Sequence, residues 1–298
     1  MQAMAQNDPA ITAGGTGRDR IAVIAGGGAL PSAIVRTLRR AGHDPLVATV
    51  TGEADSSGYA GADCFPVAVE DLGPLLSRFR SERIGRVVMA GHIARRPRLF
   101  SIKWSWRLLA SLPRAAVSLR HGDDTLLRAV IALMEANGIE VVGAHEIVPD
   151  LLTPEGLLTR AKPSTRDRRD IEAGAQAARA IGRLDIGQAA VAIGGRAIAL
   201  EGIEGTDGLL ERTAQMRGHG RLAGREGGVL VKCCKPQQDR RADLPAIGPD
   251  TIDEVLKAGL SGIALDAGAS FVLEFERTVA LADAHGLFIL GLNPDVGA

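Results

Sequence analysis

This 298-residue chain contains few cysteines and few aromatic residues, and it has no excess of either charge. Each of these shortages argues against a class of protein. The three cysteines are an odd number without a CxxC spacing, which argues against a disulfide framework and favours a reducing cytoplasm. Aromatic residues make up 3% of the chain, so stacking platforms for single-stranded nucleic acid are nearly absent. Basic and acidic residues each number 35, so no net basic field attracts nucleic acid.

Long hydrophobic runs are missing as well. No stretch reaches the ~18 consecutive apolar residues that a membrane span needs. Residues 1–19 lack a basic start followed by an apolar run, so we expect a disordered leader and no signal peptide. The remaining chain is long enough for two domains, and its 46% hydrophobic content predicts cores of Ala, Val, Leu and Ile.

The order of apolar runs predicts an α/β fold with two different domains. Residues 20–150 alternate short aliphatic runs with helix-period segments, which is typical of a parallel sheet covered by helices. The two prolines of PDLLTPEG mark a boundary near residue 150. In residues 151–298, Gly194 and Gly195 join two alternating apolar runs and predict an antiparallel hairpin. We therefore expect a Rossmann-like N-terminal parallel-sheet domain and a distinct C-terminal catalytic α/β domain with a mixed sheet.

The first glycine turn, GGGALP from Gly26 to Pro31, follows a strand and opens a helix. Backbone N–H groups at such a helix N-terminus bind phosphate or a sugar nucleotide. Pro31 stands where the dinucleotide fingerprint has its third glycine, so NAD binding is the weaker interpretation, and a purely structural turn stays open. The motif AGHIARRP ends another strand and is expected to face the same cleft. The candidate residues here are Gly27, Gly28, Ala29 and His92.

A second polar cluster lies in EGIEGTDGLLER, between a hairpin strand and a helix. Thr206 or Asp207 is a natural N-cap for that helix, which would make the cluster structural. Glu201, Glu204 and Asp207 are more carboxylates than a cap requires, so a polar wall of a binding site is the alternative.

The most informative segment is KCCKPQQDRRADLPAIG, from Lys232 to Gly248. Adjacent strand residues point to opposite faces, so Cys233 and Cys234 are not expected to ligate one ion. Cations beside carboxylates in a loop suit phosphate chemistry, because Lys and Arg bind phosphoryl oxygens while Asp binds Mg²⁺ or orients water. A solvated loop is the alternative. The residues concerned are Lys232, Lys235, Gln238, Asp239, Arg241 and Asp243.

Several motifs together resemble the LpxI-type UDP-2,3-diacylglucosamine pyrophosphatases. In chain order from Ile21 they are IAGGGALP, AGHIARRP, GDDTLL, VVGAHEIVPDLLTPEG, EGTDGLLERT and KPQQDRRADLPAIGPDTI. The most specific element is Gln-Asp-x-Arg-x-Asp-x-Pro, from Gln238 to Pro245.

The resemblance implies a hydrolase of lipid A biosynthesis that uses Mg²⁺. Its reaction converts UDP-2,3-diacylglucosamine and water into 2,3-diacylglucosamine 1-phosphate (lipid X) and UMP, with water attacking the phosphorus nearer the sugar. The lipid is expected between the two domains. An aspartate of the C-terminal motif is essential, with Asp243 the first choice and Asp239 the second, and both are the expected metal ligands. Arg241 is a further catalytic residue, and the expected substrate-binding residues of the second domain are Gln188, Thr206, Asp207, Lys232, Lys235 and Gln238.

Two other functions remain open: a nucleotide-dependent oxidoreductase that uses GGGALP, and a non-catalytic protein that binds a sugar nucleotide or lipid. We expect a cytoplasmic protein that associates peripherally with the inner membrane through its lipid substrate and the segment RRPRLFSIKWSWRLL. Trp104 and Trp106 in this segment suit a membrane interface, a core or a dimer contact, so a homodimer stays open. No nucleic-acid partner is expected.

Overall fold

The computed structural model describes residues 20–93, 123–222, 224–241 and 243–293, with the side chains of 123–126 left aside. The predicted leader and the two tryptophans lie outside these ranges. The chain divides into two compact units, Met1–Pro149 with Asp239–Asp243, and Asp150–Gln238 with Leu244–Ala298. A short segment from the second half of the sequence therefore belongs to the first unit, which the sequence did not predict.

Five strands of the first unit form a parallel sheet. They are β1 (Arg20–Ala25), β2 (Leu46–Val50), β3 (Asp63–Val67), β4 (Ile84–Ala90) and β5 (Glu140–Val142). Their spatial order is β3-β2-β1-β4-β5, so the direction of winding reverses between β1 and β4. Every residue of β2 is buried, and because successive side chains point to opposite faces, both faces of this strand are covered. The predicted Rossmann-like sheet is confirmed.

Among its described residues, the first unit contains the helices α1 (Leu30–Arg40), α2 (Leu72–Ser81), α3 (Asp123–Ala136) and the single turn α4 (Ala144–Ile147). A 3₁₀ turn covers Ser56–Tyr59. Pro31 lies in the first turn of α1, where its missing N–H costs no helical hydrogen bond. Apolar residues of the helices pack on the strands, and the core includes Ala22, Leu46, Ala48, Leu75, Leu76, Phe79, Val87, Leu133 and Met134.

The second unit contains a six-stranded mixed sheet among its described residues. Its strands are β6 (Gly156–Leu157), β7 (Ala189–Ala192), β8 (Ala197–Leu200), β9 (Val229–Lys232), β11 (Gly262–Asp266) and β13 (Phe288–Leu292). Their order is β6-β13-β11-β9-β7-β8, in which β9, β11 and β13 run parallel and the other pairings are antiparallel. A separate parallel pair joins β10 (Ala246–Ile247) and β12 (Phe271–Val272). The predicted mixed sheet is confirmed.

The helices of the second unit are α5 (Thr165–Arg183), α6 (Gly205–Gln215), α7 (Pro249–Lys257) and α8 (Phe275–Ala284). Short 3₁₀ turns cover Pro149–Leu151, Met216–Gly218 and Gly220–Leu222. A reciprocal capping box starts α5, because Ser164 Oγ accepts from Asp167 N while Asp167 Oδ2 accepts from Ser164 N. Across the part of the chain described here, no helix combines the length and apolar character needed to cross a membrane.

The hairpin between β7 and β8 follows from its two glycines. Gly194 and Gly195 have φ values of 67° and 79°, which a two-residue hairpin turn of type I′ requires and most L-residues avoid. Gly195 N donates to the carboxylate of Asp170 on α5, so that helix fixes the turn. The hairpin prediction is confirmed.

Candidate active site

The glycine turn after β1 meets the end of β4, at the point where the winding of the first sheet reverses. Gly27 N donates to His92 O at 2.8 Å, and His92 N donates to Gly27 O at 3.1 Å. The imidazole lies against the turn, because a Cβ on Gly27 would be 2.7 Å from His92 Cε1 and Nε2. Gly28 has a φ of 92°, and Ala29 is the N-cap residue of α1. The structure thus brings the four N-terminal candidates together at a position where open α/β sheets bind ligands.

Asp239 is held by Arg241 in the loop that follows β9, called here the motif loop (residues 235–245). Asp239 Oδ1 accepts from the backbone N and the Nε of Arg241, both at 3.0 Å, and Oδ2 accepts from Nη2 at 2.8 Å. These hydrogen bonds favour the ionised carboxylate and lower the pKa of Asp239. Arg241 Nη1 also donates to Glu135 Oε1 of α3 at 2.7 Å. Both oxygens of Asp239 therefore already have donors.

Asp243 has different surroundings. Its amide donates to Asp239 O at 3.4 Å, which closes one turn of the loop, and its side chain is exposed. No group of three or more His, Cys, Asp or Glu suited to a metal ion occurs in the described ranges. Mg²⁺ needs only one or two protein carboxylates when phosphate and water supply the other ligands. A single exposed carboxylate such as that of Asp243 is compatible with this ligand set, and Mg²⁺ binding by Asp243 or Asp239 stays a prediction.

The two predicted lysines have protein partners in the structure. Lys232 is 5% exposed and its Nζ donates to Ala246 O at 2.9 Å, which links β9 to β10. Lys235 Nζ lies 2.7 Å from Asp185 Oδ1. Gln238 Oε1 accepts from the backbone N of Lys235 at 3.2 Å, so its side chain shapes the start of the motif loop. Phosphate binding by the two lysines stays a prediction.

Gln188 and Thr206 meet at a buried carboxylate. Glu201 is 6% exposed, its Oε2 accepts from Gln188 N and its Oε1 accepts from Thr206 Oγ1, both at 2.7 Å. Cys233 N donates to Gln188 O at 2.9 Å, which connects this cluster to the end of β9. Gln188 Oε1 is buried and has no hydrogen-bond partner, so it is a candidate acceptor for a ligand.

The predicted N-cap at Thr206 or Asp207 is wrong. Helix α6 begins at Gly205, and Glu204 is its N-cap residue. The reason is the bond from the Thr206 hydroxyl to Glu201, which ties the first turn of the helix to the end of β8. Asp207 lies exposed in that first turn.

The sequence did not single out Asp266, which ends β11. Its Oδ1 lies 3.2 Å from Arg179 Nη2, and its Oδ2 accepts from Cys234 N at 2.9 Å. Asp266 is 4% exposed, and the only sequence signal is an acid that closes the apolar run IALD. Burial, followed by the charge of Asp266, raises the pKa of the Cys233 thiol to about 12. The thiol of Cys233 is therefore protonated at neutral pH and unsuited to metal binding or nucleophilic attack.

Comparisons with known proteins match both halves of the chain. Models described as the LpxI N-terminal domain and the LpxI C-terminal domain match residues 20–151 and 154–290. A UDP-2,3-diacylglucosamine pyrophosphatase LpxI from Caulobacter vibrioides is 40% identical over 281 residues. That match covers 92% of this chain and 98% of the relative.

Two solved structures resemble this chain distantly. A UDP-glucose 4-epimerase of Thermus thermophilus in complex with NAD is 14% identical, with 94% of this chain and 88% of that chain covered and a TM-score of 0.32. The Bordetella bronchiseptica enzyme WbmG in complex with NAD is 19% identical, with 40% and 34% covered and a TM-score of 0.26. Similarity this weak supports no conclusion about this chain.

Proposed function

This chain belongs to the LpxI family, and from that premise we propose that it hydrolyses UDP-2,3-diacylglucosamine to lipid X and UMP in lipid A biosynthesis. The observation that carries the proposal is the 40% identity to a UDP-2,3-diacylglucosamine pyrophosphatase across 92% of the chain. The pairing of cations and carboxylates in the motif loop supports it, because a pyrophosphate substrate requires both.

Asp243 is the proposed essential carboxylate. Its side chain is exposed, so it can reach an ion or accept the proton of the attacking water. The oxygens of Asp239 accept hydrogen bonds from Arg241. Mg²⁺, when bound, would neutralise pyrophosphate charge and polarise the phosphorus that water attacks. Asp239 then has a different role, which is to hold Arg241 and the shape of the loop.

The substrate phosphates are proposed to contact Arg241 and Lys235. Arg241 is paired with Glu135, and Lys235 is paired with Asp185. A phosphate oxygen of the substrate could take the place of either carboxylate as the acceptor, and the cation would stay paired. Lys232 suits phosphate binding less, because its ammonium group is buried against Ala246 O. Gln188 Oε1 would accept from a hydroxyl or N–H group of the sugar nucleotide.

The remaining proposals concern the lipid. We propose that the diacyl product is held between the two domains and that the protein meets its substrate at the cytoplasmic face of the inner membrane. Both rest on the family resemblance and on the need of two acyl chains for an apolar environment. A flotation assay with vesicles that contain the substrate would test the second, since failure to float would contradict it.

The function is tested by measuring UMP release from UDP-2,3-diacylglucosamine with Mg²⁺ or with EDTA. We expect turnover with Mg²⁺, loss of turnover with EDTA, and a fall of at least about 10²-fold in kcat for Asp243→Asn. Asp239→Asn should retain more activity, and Asp253→Asn, an exposed acid on α7, is the matched control that should behave as wild type. Full turnover by folded Asp243→Asn would exclude that carboxylate, and tight binding without UMP release would favour the non-catalytic alternative.

A further inference from the structure

The carboxylate of Glu201, directly after β8, is the buried centre of a small polar cluster in the second unit. Glu201 is 6% exposed, its Oε1 accepts from Thr206 Oγ1 and its Oε2 accepts from the backbone N of Gln188, both at 2.7 Å. Its backbone is held as well, because Glu201 N donates to Ala189 O at 2.9 Å. The chain also passes close to Gly187, where a Cβ would lie 2.4 Å from Glu201 O. The carboxylate therefore has a fixed position between β7 and the first turn of α6.

The N-terminal end of α6 accounts for a carboxylate in this buried position. Helix α6 begins at Gly205, and Thr206, which donates to Glu201, lies in its first turn. The N–H groups at the start of a helix carry a partial positive charge, which favours a carboxylate nearby. The same arrangement disfavours a substrate phosphate here, because the phosphate would meet the negative charge of Glu201.

The direction of the hydrogen bond from Thr206 determines what its hydroxyl can offer to a ligand. A carboxylate only accepts hydrogen bonds, so the hydroxyl proton of Thr206 is directed at Glu201. A threonine hydroxyl has one donor and two acceptor lone pairs, so Oγ1 is left as an acceptor for any other group. Gln188 Oε1, which is buried without a hydrogen-bond partner, is a second acceptor in this cluster. Two acceptors suit a ligand group that donates.

We propose that Glu201 is a positioning residue that makes this cluster select a hydrogen-bond donor of the substrate. Because Glu201 takes the proton of Thr206, Thr206 Oγ1 and Gln188 Oε1 accept from a hydroxyl or amide N–H group. Both the glucosamine half and the uridine half of a sugar nucleotide carry such donors, whereas its phosphate oxygens are acceptors. The inference rests on the proposed function, since the donor must belong to UDP-2,3-diacylglucosamine.

The first test reverses the polarity of one hydrogen bond. In Glu201→Gln the side chain keeps its size and an acceptor oxygen for Gln188 N, while its new NH₂ group donates to Thr206 Oγ1. The hydroxyl proton of Thr206 then turns to the ligand, where it meets another donor. We expect KM to rise about tenfold, as for the loss of one hydrogen bond, with kcat within about twofold of wild type. A lower KM would show that the cluster prefers an acceptor such as phosphate, and would overturn the proposal.

Variants of Thr206 test whether Glu201 acts through this hydroxyl. Thr206→Val should also raise KM about tenfold, and Thr206→Ser, which keeps the hydroxyl, should stay within about threefold of wild type. The double variant Glu201→Gln/Thr206→Val should again be about tenfold impaired, whereas independent effects would multiply to about a hundredfold and overturn the proposal. An unchanged KM in Thr206→Val would overturn it too, even if Glu201→Gln does not fold. The matched control is Glu211→Gln, an exposed acid on α6 that should leave KM unchanged.

Binding of the two products separates this inference from the proposed function. In titration calorimetry with UMP and with lipid X, one of the two should bind about tenfold more weakly to Glu201→Gln than to wild type, and that product carries the donor. Equal affinities of wild type and Glu201→Gln for both products would overturn the inference, even with normal release of UMP. A tenfold difference without any release of UMP would support the inference and contradict the proposed function. A wild-type protein that binds neither product would contradict both.

Discussion

Replacing Asp266 with alanine should destabilise the second unit more than most single substitutions. The carboxylate is 4% exposed and has two donors, Arg179 Nη2 at 3.2 Å and Cys234 N at 2.9 Å. The side chain of Arg179 is only 15% exposed, so alanine leaves a largely buried cation without this partner. Removing one member of a buried ion pair costs about 3–5 kcal/mol.

Asparagine at position 266 separates the two contributions. It keeps an acceptor oxygen for Cys234 N but loses the charge that faces Arg179, so we expect a smaller loss of about 1–3 kcal/mol. Arg179→Met combined with Asp266→Ala should cost less than the sum of the single changes, because the two side chains contact each other and both members of the ion pair are then removed together.

The measurement is urea-induced unfolding followed by far-UV circular dichroism, with the free energy of unfolding taken from the midpoint and slope. The expected order of stability is wild type, then Asp266→Asn, then Asp266→Ala. A loss below about 1 kcal/mol in Asp266→Ala would refute the reasoning, since so small a loss is typical of an exposed ion pair and not of a buried one.

Three further predictions concern other buried or paired groups. Asp170→Asn should be neutral or stabilising and Asp170→Ala should cost about 1–3 kcal/mol in urea unfolding, because burial raises the pKa of this carboxyl while its oxygen accepts from Gly195 N. The hydrogen bonds from Arg241 lower the pKa of Asp239, so the ionised carboxylate stabilises the folded state at neutral pH. This contribution should be lost as the pH falls below about 3.8, the ordinary pKa of an aspartate. The urea midpoint should therefore change less over this acidic range in Arg241→Ala than in wild type. The guanidinium of Arg217 donates to the carbonyls of Ala258, Gly227 and Gly259. Arg217→Ala should therefore lower the melting temperature by several degrees, which corresponds to a loss of ~2 kcal/mol in stability. Arg217→Lys should recover only part of this stability, because an ammonium group cannot reproduce the planar set of donors.

The fold could be predicted where the sequence carries a local signal. The apolar run of β2 is buried along its whole length, and such runs between helical segments identify a parallel sheet without further information. Gly194 and Gly195 predicted the hairpin, because a two-residue turn with two positive φ values needs residues of this type.

The contacts of the candidate site were harder to predict from the sequence, because they join residues that are far apart along the chain. Glu135 and Arg241 are 106 residues apart, and Arg179 and Asp266 are 87 residues apart. Charged residues at helix faces and strand ends follow no period that reveals their partners. The cluster of cations and carboxylates predicted that Lys232 binds phosphate, but that pattern does not reveal that its Nζ donates to Ala246 O.

The most direct test of the proposed function is hydrolysis of UDP-2,3-diacylglucosamine by the 298-residue chain in ¹⁸O-labelled water, with ³¹P NMR of both products. Attack on the phosphorus nearer the sugar predicts UMP release with the label only in the phosphate of lipid X. Label in UMP would contradict the proposed site of attack. The absence of UMP in the presence of Mg²⁺ would contradict the pyrophosphatase activity itself.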